Sequence, residues 1–414
     1  MGDFHQNGII TTLHNLAHRP LEAMEKELCE FAKTRPMSLI LPCLYSELET
    51  DAMPNILKHL QQVPYLSEIV IGLDRATEEQ YRHALEFFSV LPQNVKVLWN
   101  DGPRLREIDN VLKGEHLSPS DPGKGRNVWF CMGYNLAAGK AESIAMHDCD
   151  IVTYDRELLA RLIYPVANPN FNYEFCKGFY ARAANGKMNG RVSRLLVTPL
   201  LCSLKKVFGH LDYLDYLDSY RYPLAGEFSF RRDVMTDLRI PSDWGLEIGV
   251  LSEMYRNYST NRLCQVDIAD IYDHKHQDLS ADNDDGGLSK MSIDITKAIF
   301  RKLATNGTIF NQETFRTIKA TYYRVALDFI ETYKNDAEIN GLKLDVHTEE
   351  RAVELFASNI MKAGNQYLDN PMETPFIPSW NRVVSAFPGV MSQLAQAVEL
   401  DMAQYGPQNS GSKE

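Results

Sequence analysis

Two aspartates stand one residue apart in the stretch AESIAMHDCDIV, at Asp148 and Asp150. The apolar run before them reads as a buried strand, and side chains two apart on a strand point to the same side. On one face of a strand end the pair makes an anionic pincer. Such a pair is costly unless a cation, water or hydrogen-bond donors offset the repulsion. The pair raises the question of whether a metal ion is what it holds. Alone, D-x-D is a weak motif, because short aspartate pairs also serve turns and caps. Cys149, between the two, faces the other way and reads as core packing.

Four further groups add to the pair. DPGKGRN at 121–127 opens a helix just upstream. There Gly123 and Gly125 let backbone approach a ligand closely, and Lys124 supplies a point charge for phosphate. The spacing is not that of a Walker loop. LPCLYSELE follows the first strand of the series and puts Pro42 and Glu47 where a base or ribose lies in a nucleotide-sugar site. YDHKHQ at 272–277 ends a late strand, with His274 and His276 on one side if the strand continues. A neutral imidazole is a good third ligand for an ion held by carboxylates. In NGRVSRLLVTPLL, Arg191 and Arg194 open a helix, which suits phosphate or carboxylate. Glu227, beside Gly226, and Glu247, in DWGLEIG, are carboxylates that can bind sugar hydroxyls. Each group also has a plain structural reading as a loop, a surface pair, a cap or a salt bridge.

The elements that must position these residues follow from apolar rhythm and breakers. A helix is expected over 20–33. MSLILPCL, LSEIVIGLD, NVKVLWN and the run ending at Asp150 read as strands. Helices at 51–62, 77–91 and 125–140 alternate with them. That alternation predicts a largely parallel sheet with helices on both faces, which binds ligands at the carboxyl ends of its strands. Farther on, YEFCKGFYAR and LCQVDIADIYDH read as strands, and 190–208 and 245–258 as helices. ADNDDGGLSK is a polar loop without the ligand spacing of an EF-hand. Beyond it, 292–304, 311–334, 348–368 and 379–405 read as helices, packed on the α/β core or on another subunit. The expected organisation is an N-terminal helical extension over 1–35, a catalytic domain over 36–290, a helical section over 291–405 and a disordered tail over 406–414.

Composition narrows the function classes. The 414 residues carry a formal net charge of -12, which disfavours nucleic acid or anionic membrane as the main partner. The seven cysteines are scattered without a C-x-x-C, which argues for a reducing cytoplasm rather than a disulfide framework. No apolar run is long enough to span a bilayer. The first residues carry neither a secretory signal nor a myristoylation pattern.

The ordered blocks LPCLYSE, PGKG, DCD, GRVSRL…TPLL, PLAGEFSF, GLEIGVL and QVDIADIYDHKHQ resemble the retaining GT-A glucosyl-3-phosphoglycerate synthases. More distantly they resemble the mannosylglycerate synthases. The resemblance covers about residues 36–300. It implies an α/β fold: a GT-A type, Rossmann-like nucleotide-sugar-binding sheet with an α-helical C-terminal section. It implies donor contacts at Pro42, Leu44, Glu47 and Lys124, with Asp74, Asp148 and Cys149 counted in the same set. Asp150 and His274 would hold Mg2+ (or Mn2+), with Asp148 reaching the ribose or, through water, the ion. Gly190, Arg191, Val192 and Ser193 would hold the acceptor, with His276 nearby. Three positions depart from the family pattern: Cys149 for Ser, Ser193 for Thr and His276 for Asn. The implied reaction is metal-assisted transfer of glucose from UDP- or GDP-glucose to 3-phosphoglycerate; the cysteines suggest a cytoplasmic enzyme, and the helical C-terminal section a homodimer that buries its amphipathic helices. Lys124, Asp150 and Glu247 are its expected catalytic residues. GDP-mannose as donor and unphosphorylated glycerate as acceptor stay open. The rival readings are a sugar nucleotidyltransferase, disfavoured by the lack of glycine after the first strand, and a non-catalytic sugar-nucleotide-binding protein.

Overall fold

The computed structural model describes residues 6, 8–17, 19–118, 123–274, 287–371 and 377–407. Its strands, in chain order, are β1 (Thr11–Leu13), β2 (Met37–Leu44), β3 (Leu66–Asp74), β4 (Asn94–Trp99), β5 (Ser143–Met146), β6 (Phe175–Tyr180), β7 (Ala183–Ala184), β8 (Lys187–Met188), β9 (Phe228–Arg231) and β10 (Leu263–Ala269). The chain divides into two units that do not follow its linear order. One, the sheet unit, holds Asn15–Lys177, Gly226–Ser242 and Phe376–Glu414; the other, the helical unit, holds Met1–His14, Gly178–Ala225 and Asp243–Pro375.

In the sheet unit the strands run in the order β6-β9-β5-β2-β3-β4. β2 is parallel to both β3 and β5, β3 is parallel to β4, and β9 is antiparallel to β5 and β6. Helices cover the central strands, which is why β2 is an almost unbroken apolar run rather than an alternating one. Helix Glu78–Phe88 starts at a capping box in which Thr77 Oγ1 accepts from Gln80 N. Helix Lys124–Ala138 is buried over most of its length. On the strand side, Asn127 Nδ2 donates to Gly72 O at 2.7 Å. A Cβ on Gly72 would lie 1.8 Å from Asn127 Oδ1, so only glycine fits. The helix also carries Trp129, stacked on Trp380 at 4.0 Å between ring centroids. Through Trp380 and helix Val390–Tyr405, the end of the chain is tied into this unit.

In the helical unit β1 pairs in parallel with β10. β7 and β8 form a hairpin whose turn residues, Asn185 and Gly186, both have positive φ. A π-helical stretch, Val192–Val197, runs straight into helix Thr198–Phe208. Helix Gln312–Ile339 packs on Thr198–Phe208 and on Val346–Asp369. Phe300, Phe310, Phe315 and Tyr367 form an aromatic cluster between these helices.

The expected parallel sheet with flanking helices is present. Several local expectations are corrected. β5 stops at Met146, so Asp148 and Asp150 lie in the connection after the strand and not on one face of it. β10 stops at Ala269, five residues before His274, so the strand expected to carry His274 has ended before it; His276 lies outside the described residues. Helices Pro103–Gly114 and Arg156–Ala167 stand where no element was expected. The continuous helix expected over 379–405 is broken into Trp380–Ala386 and Val390–Tyr405, with Pro388 in the break. The helical C-terminal section is shared: the helices of 287–371 belong to the helical unit, and the last two to the sheet unit. The polar loop over 281–286 and the tail over 408–414 lie outside the described residues.

Candidate active site

In the sheet unit the carboxyl ends of three parallel strands lead to the predicted carboxylates: β2 to Glu47, β3 to Asp74 and β5 to Asp148 and Asp150. β2 passes through Pro42 and Leu44 into the short turn Tyr45–Glu47. There Glu47 Oε2 accepts from Leu44 N at 2.8 Å. Burial, then the charges of Asp150 and Asp148, push the Glu47 carboxyl up to about 7 against the hydrogen bond from Leu44. β3 ends on Asp74, whose Oδ1 accepts from Asn100 Nδ2 at 2.8 Å. Burial raises Asp74, while Asn100 and Arg126 work the other way.

Past the end of β5 the chain is held by His147, which is fully buried. Its Nδ1 lies 2.9 Å from the carbonyl of Asp148, and its Nε2 lies 3.2 Å from Tyr154 Oη. A carbonyl only accepts, so Nδ1 carries the proton and Nε2 accepts from the Tyr154 hydroxyl. Burial pushes the imidazole down to about 4, so it is neutral at ordinary pH. A neutral ring thus anchors the backbone that presents Asp148. Neither His147 nor the Asn100 and Arg126 supports were singled out from the sequence. A histidine closing an apolar strand was the available signal.

Lys124 is the first residue of helix Lys124–Ala138, and its Nζ lies 2.5 Å from Asp148 Oδ1. Gly226 stands opposite: a Cβ there would fall 2.4 Å from Asp148 Oδ2. The expectation for Gly123 and Gly125 needs correction. Their clearance is taken up by protein, since added Cβ atoms would lie 2.9 Å from Ser242 O and 2.1 Å from Pro241 O. Cys149 is buried beside Cys43, as expected of core packing. Cys43, Glu47 and Cys149 place their ligand atoms within 4.8 Å of one another. Burial raises both thiols, which disfavours thiolate ligation there. Asp148 and Asp150 offer hard oxygen donors, Lys124 pairs with Asp148, and the charge of both aspartates is felt at Glu47. That donor set fits Mg2+ or Mn2+.

The predicted acceptor residues are in the helical unit. Gly190 has φ +76°, a left-handed conformation that favours glycine. The stretch after it is the π-helical turn, a form frequent at functional sites. Arg191 Nε donates to Glu349 Oε1 at 2.9 Å, and Arg194 Nη1 donates to Glu349 Oε2 at 2.8 Å. Arg194 also lies over the Tyr333 ring. Glu349, on helix Val346–Asp369, was not anticipated, because a glutamate on an amphipathic helix carries no signature. Val192 and Ser193 are buried, and Ser193 Oγ has no hydrogen-bond partner among the described residues. Glu247 is half-buried in the first turn of helix Leu246–Asn257. His274 is half-buried, with its ring edge-on to Tyr272. His276 lies outside the described residues. Glu227 is fully buried in the sheet unit, just before β9.

Among known proteins, the chain is 46% identical over 401 residues to glucosyl-3-phosphoglycerate synthase of Persephonella marina, covering 97% of this chain and 99% of the relative. It is 40% identical over 409 residues to the protein of that name from Methanococcoides burtonii, covering 97% and 99%. A solved glucosyl-3-phosphoglycerate synthase from Mycobacterium tuberculosis, in complex with Mn2+, UDP-glucose and phosphoglyceric acid, superposes with a TM-score of 0.52. It is 20% identical and covers 71% of this chain and 88% of that one. Mannosyl-3-phosphoglycerate synthase from Rubrobacter xylanophilus superposes with a TM-score of 0.53 at 19% identity, covering 73% and 83%. At these identities the two structures speak to the fold, which is the α/β fold expected. No family model matches the chain.

Proposed function

This chain belongs to the glucosyl-3-phosphoglycerate synthase family, and from that premise we propose that it transfers glucose from UDP-glucose to 3-phosphoglycerate, with retention of configuration. The observation that carries the reading is the match to relatives of that name over nearly the whole chain. The geometry agrees with it: a lysine at a helix start grips an aspartate beyond the carboxyl end of a parallel strand.

The bond from the anomeric carbon to the diphosphate oxygen breaks, and UDP leaves with the electron pair. The only free hydroxyl of 3-phosphoglycerate, at C2, bonds to that carbon and gives its proton to the departing phosphate. Transfer on one face of the sugar needs no enzyme nucleophile, in keeping with the retention that the family implies. Lys124 lays its positive charge beside the leaving diphosphate. Pro42, Leu44, Glu47 and Asp74 hold the base and ribose. Asp148 and Asp150 would hold Mg2+ or Mn2+, and His274 is the candidate imidazole ligand. When bound, that ion neutralises the diphosphate charge as a Lewis acid. Gly190, Arg191, Val192 and Ser193 orient the acceptor, a step that offsets much of the entropy cost of joining two substrates. Glu247 contacts sugar or acceptor hydroxyls.

Nucleoside diphosphate release is the test, with UDP-glucose, GDP-glucose and GDP-mannose crossed against 3-phosphoglycerate and glycerate. Release is expected from UDP-glucose only when 3-phosphoglycerate and Mg2+ are both present, and EDTA should stop it. Release of pyrophosphate from a nucleoside triphosphate and a sugar phosphate would overturn the reading in favour of a nucleotidyltransferase. Donor binding with no turnover would overturn it in favour of a binding protein. Seven free cysteines and metabolite substrates support a cytoplasmic enzyme. Among the described residues, no helix is long and apolar enough to cross a membrane. Exposed Ile309 and Ile339 in the helical unit support a homodimer, which sedimentation at micromolar concentration would test.

A further inference from the structure

The charge balance around the acceptor motif singles out a residue that the motif does not contain. Arg191 and Arg194, the two cations of GRVSR, are both engaged by the buried Glu349 carboxylate. That trio carries one net positive charge. Arg182 stands beside them in the same unit, with no carboxylate partner among the described residues. Its carbonyl accepts from Asn189 N at 2.7 Å, which ties its backbone to the residue before Gly190. Its Cβ and Cδ, with Tyr222 Oη, lie 3.6 Å from where a Cβ on Gly190 would sit. The Arg182 side chain therefore packs against the glycine that opens the acceptor motif.

Two Arg182 donors, Nε and Nη2, are shielded from solvent and have no hydrogen-bond partner among the described residues. They are the two nitrogens on one edge of the guanidinium, the edge that grips two oxygens of one phosphate or carboxylate at once. A buried edge left empty costs free energy unless a ligand fills it. Tyr180 stacks on Tyr272 at 3.6 Å and lies 4.9 Å from Tyr222, which forms an aromatic wall around the group. Burial works against the charge of Arg182, but the Tyr222 phenol, with Tyr180 and Tyr272 adding, more than restores it. The group stays cationic.

We infer that Arg182 binds the phosphate of the acceptor through its Nε and Nη2 edge and sets the preference for a phosphorylated acid. This rests on the acceptor proposed above. The dianionic end of such a molecule goes to the cation that no carboxylate offsets, which is Arg182. The carboxylate end is left to the backbone at Gly190, the unpartnered Ser193 hydroxyl and the partly offset Arg191.

The test compares wild type, Arg182→Gln and Arg182→Lys by UDP release with 3-phosphoglycerate, using inorganic phosphate as a competing probe. Loss of two charge-assisted hydrogen bonds predicts a rise of about 100-fold in the KM for 3-phosphoglycerate in Arg182→Gln. The inhibition constant of inorganic phosphate against 3-phosphoglycerate should rise in step. The KM for UDP-glucose should hold, which also shows that the variant is folded. Arg182→Lys, which keeps the charge but not the fork, should recover about 10-fold of the loss. An unchanged KM for 3-phosphoglycerate overturns the inference. So does a raised KM with an unchanged phosphate inhibition constant, because the partner would then be the carboxylate. Equal loss in both variants with a raised donor KM also overturns it, in favour of a structural role. If wild type shows no 3-phosphoglycerate-dependent release at all, the proposed function fails first, and the two failures are told apart.

Discussion

Gly226→Ala is the sharpest probe of the donor side, because it adds one methyl and no charge. Gly226 does not need the left-handed backbone, so alanine can take its conformation. The methyl would lie 2.4 Å from Asp148 Oδ2, 2.8 Å from Cγ and 2.9 Å from Oδ1. It faces the whole carboxylate, so turning one oxygen aside does not relieve the clash. Ordinary contact begins near 3.4 Å, so the group must retreat by about 3.4 − 2.4 = 1.0 Å. Oδ1 is the atom that Lys124 Nζ holds at 2.5 Å, so the same retreat strains that pair. A misplacement of about 1 Å at a catalytic group costs roughly 100-fold in rate, or about 2.7 kcal/mol of transition-state stabilisation. The assay is UDP release at graded Mg2+ and UDP-glucose. The expected result is a fall of about 100-fold in kcat/KM for UDP-glucose and a higher Mg2+ requirement, with the KM for 3-phosphoglycerate within a few-fold of wild type. Wild-type Mg2+ dependence in a folded Gly226→Ala protein would refute the placement of Asp148 at the diphosphate and ion.

Two further outcomes follow from buried carboxylates. Glu47 sits at about 7 in the folded protein against an ordinary 4.5, so the native state holds its proton more tightly than the unfolded chain does. Its contribution to stability is fully present below 4.5 and is lost as pH rises through 7, a loss of about 3 kcal/mol. With EDTA present, Glu47→Gln should flatten the fall in urea midpoint between pH 5 and pH 8, and parallel profiles for the two proteins would contradict this. Glu349→Ala removes the carboxylate shared by Arg191 and Arg194. It should lower stability by about 3 kcal/mol, chiefly through the buried Arg194. An unchanged thermal midpoint would count against the bridge.

How much of this was legible in the sequence depends on what each residue needed in order to be recognised. β2 and β3 were placed to the residue, because a strand buried on both faces leaves an unbroken apolar run with breakers at its ends. The chemistry of the aspartate pair is legible in the sequence, but its geometry is not. A two-residue alternation looks the same in a strand and in the connection after it. The last residue of β5, Met146, pairs with Phe228, the first residue of β9, and past that point the chain leaves the sheet at His147. Gly123 and Gly125 were recognised as needing space. What fills the space, Pro241 and Ser242, comes from a distant segment that no local pattern announces. The same limit bears hardest on the proposed acceptor motif. Read as a string, GRVSR offers two free cations to an anionic substrate. In the fold, Glu349 has taken one hydrogen bond from each, and the empty donors belong to Arg182, which lies outside the motif. A motif shows which residue types a reaction requires, but the sign and size of the charge a substrate meets is set by the partners that folding brings to them. The residue that decides between a phosphorylated and an unphosphorylated acid is therefore to be sought among the side chains left unsatisfied around the motif.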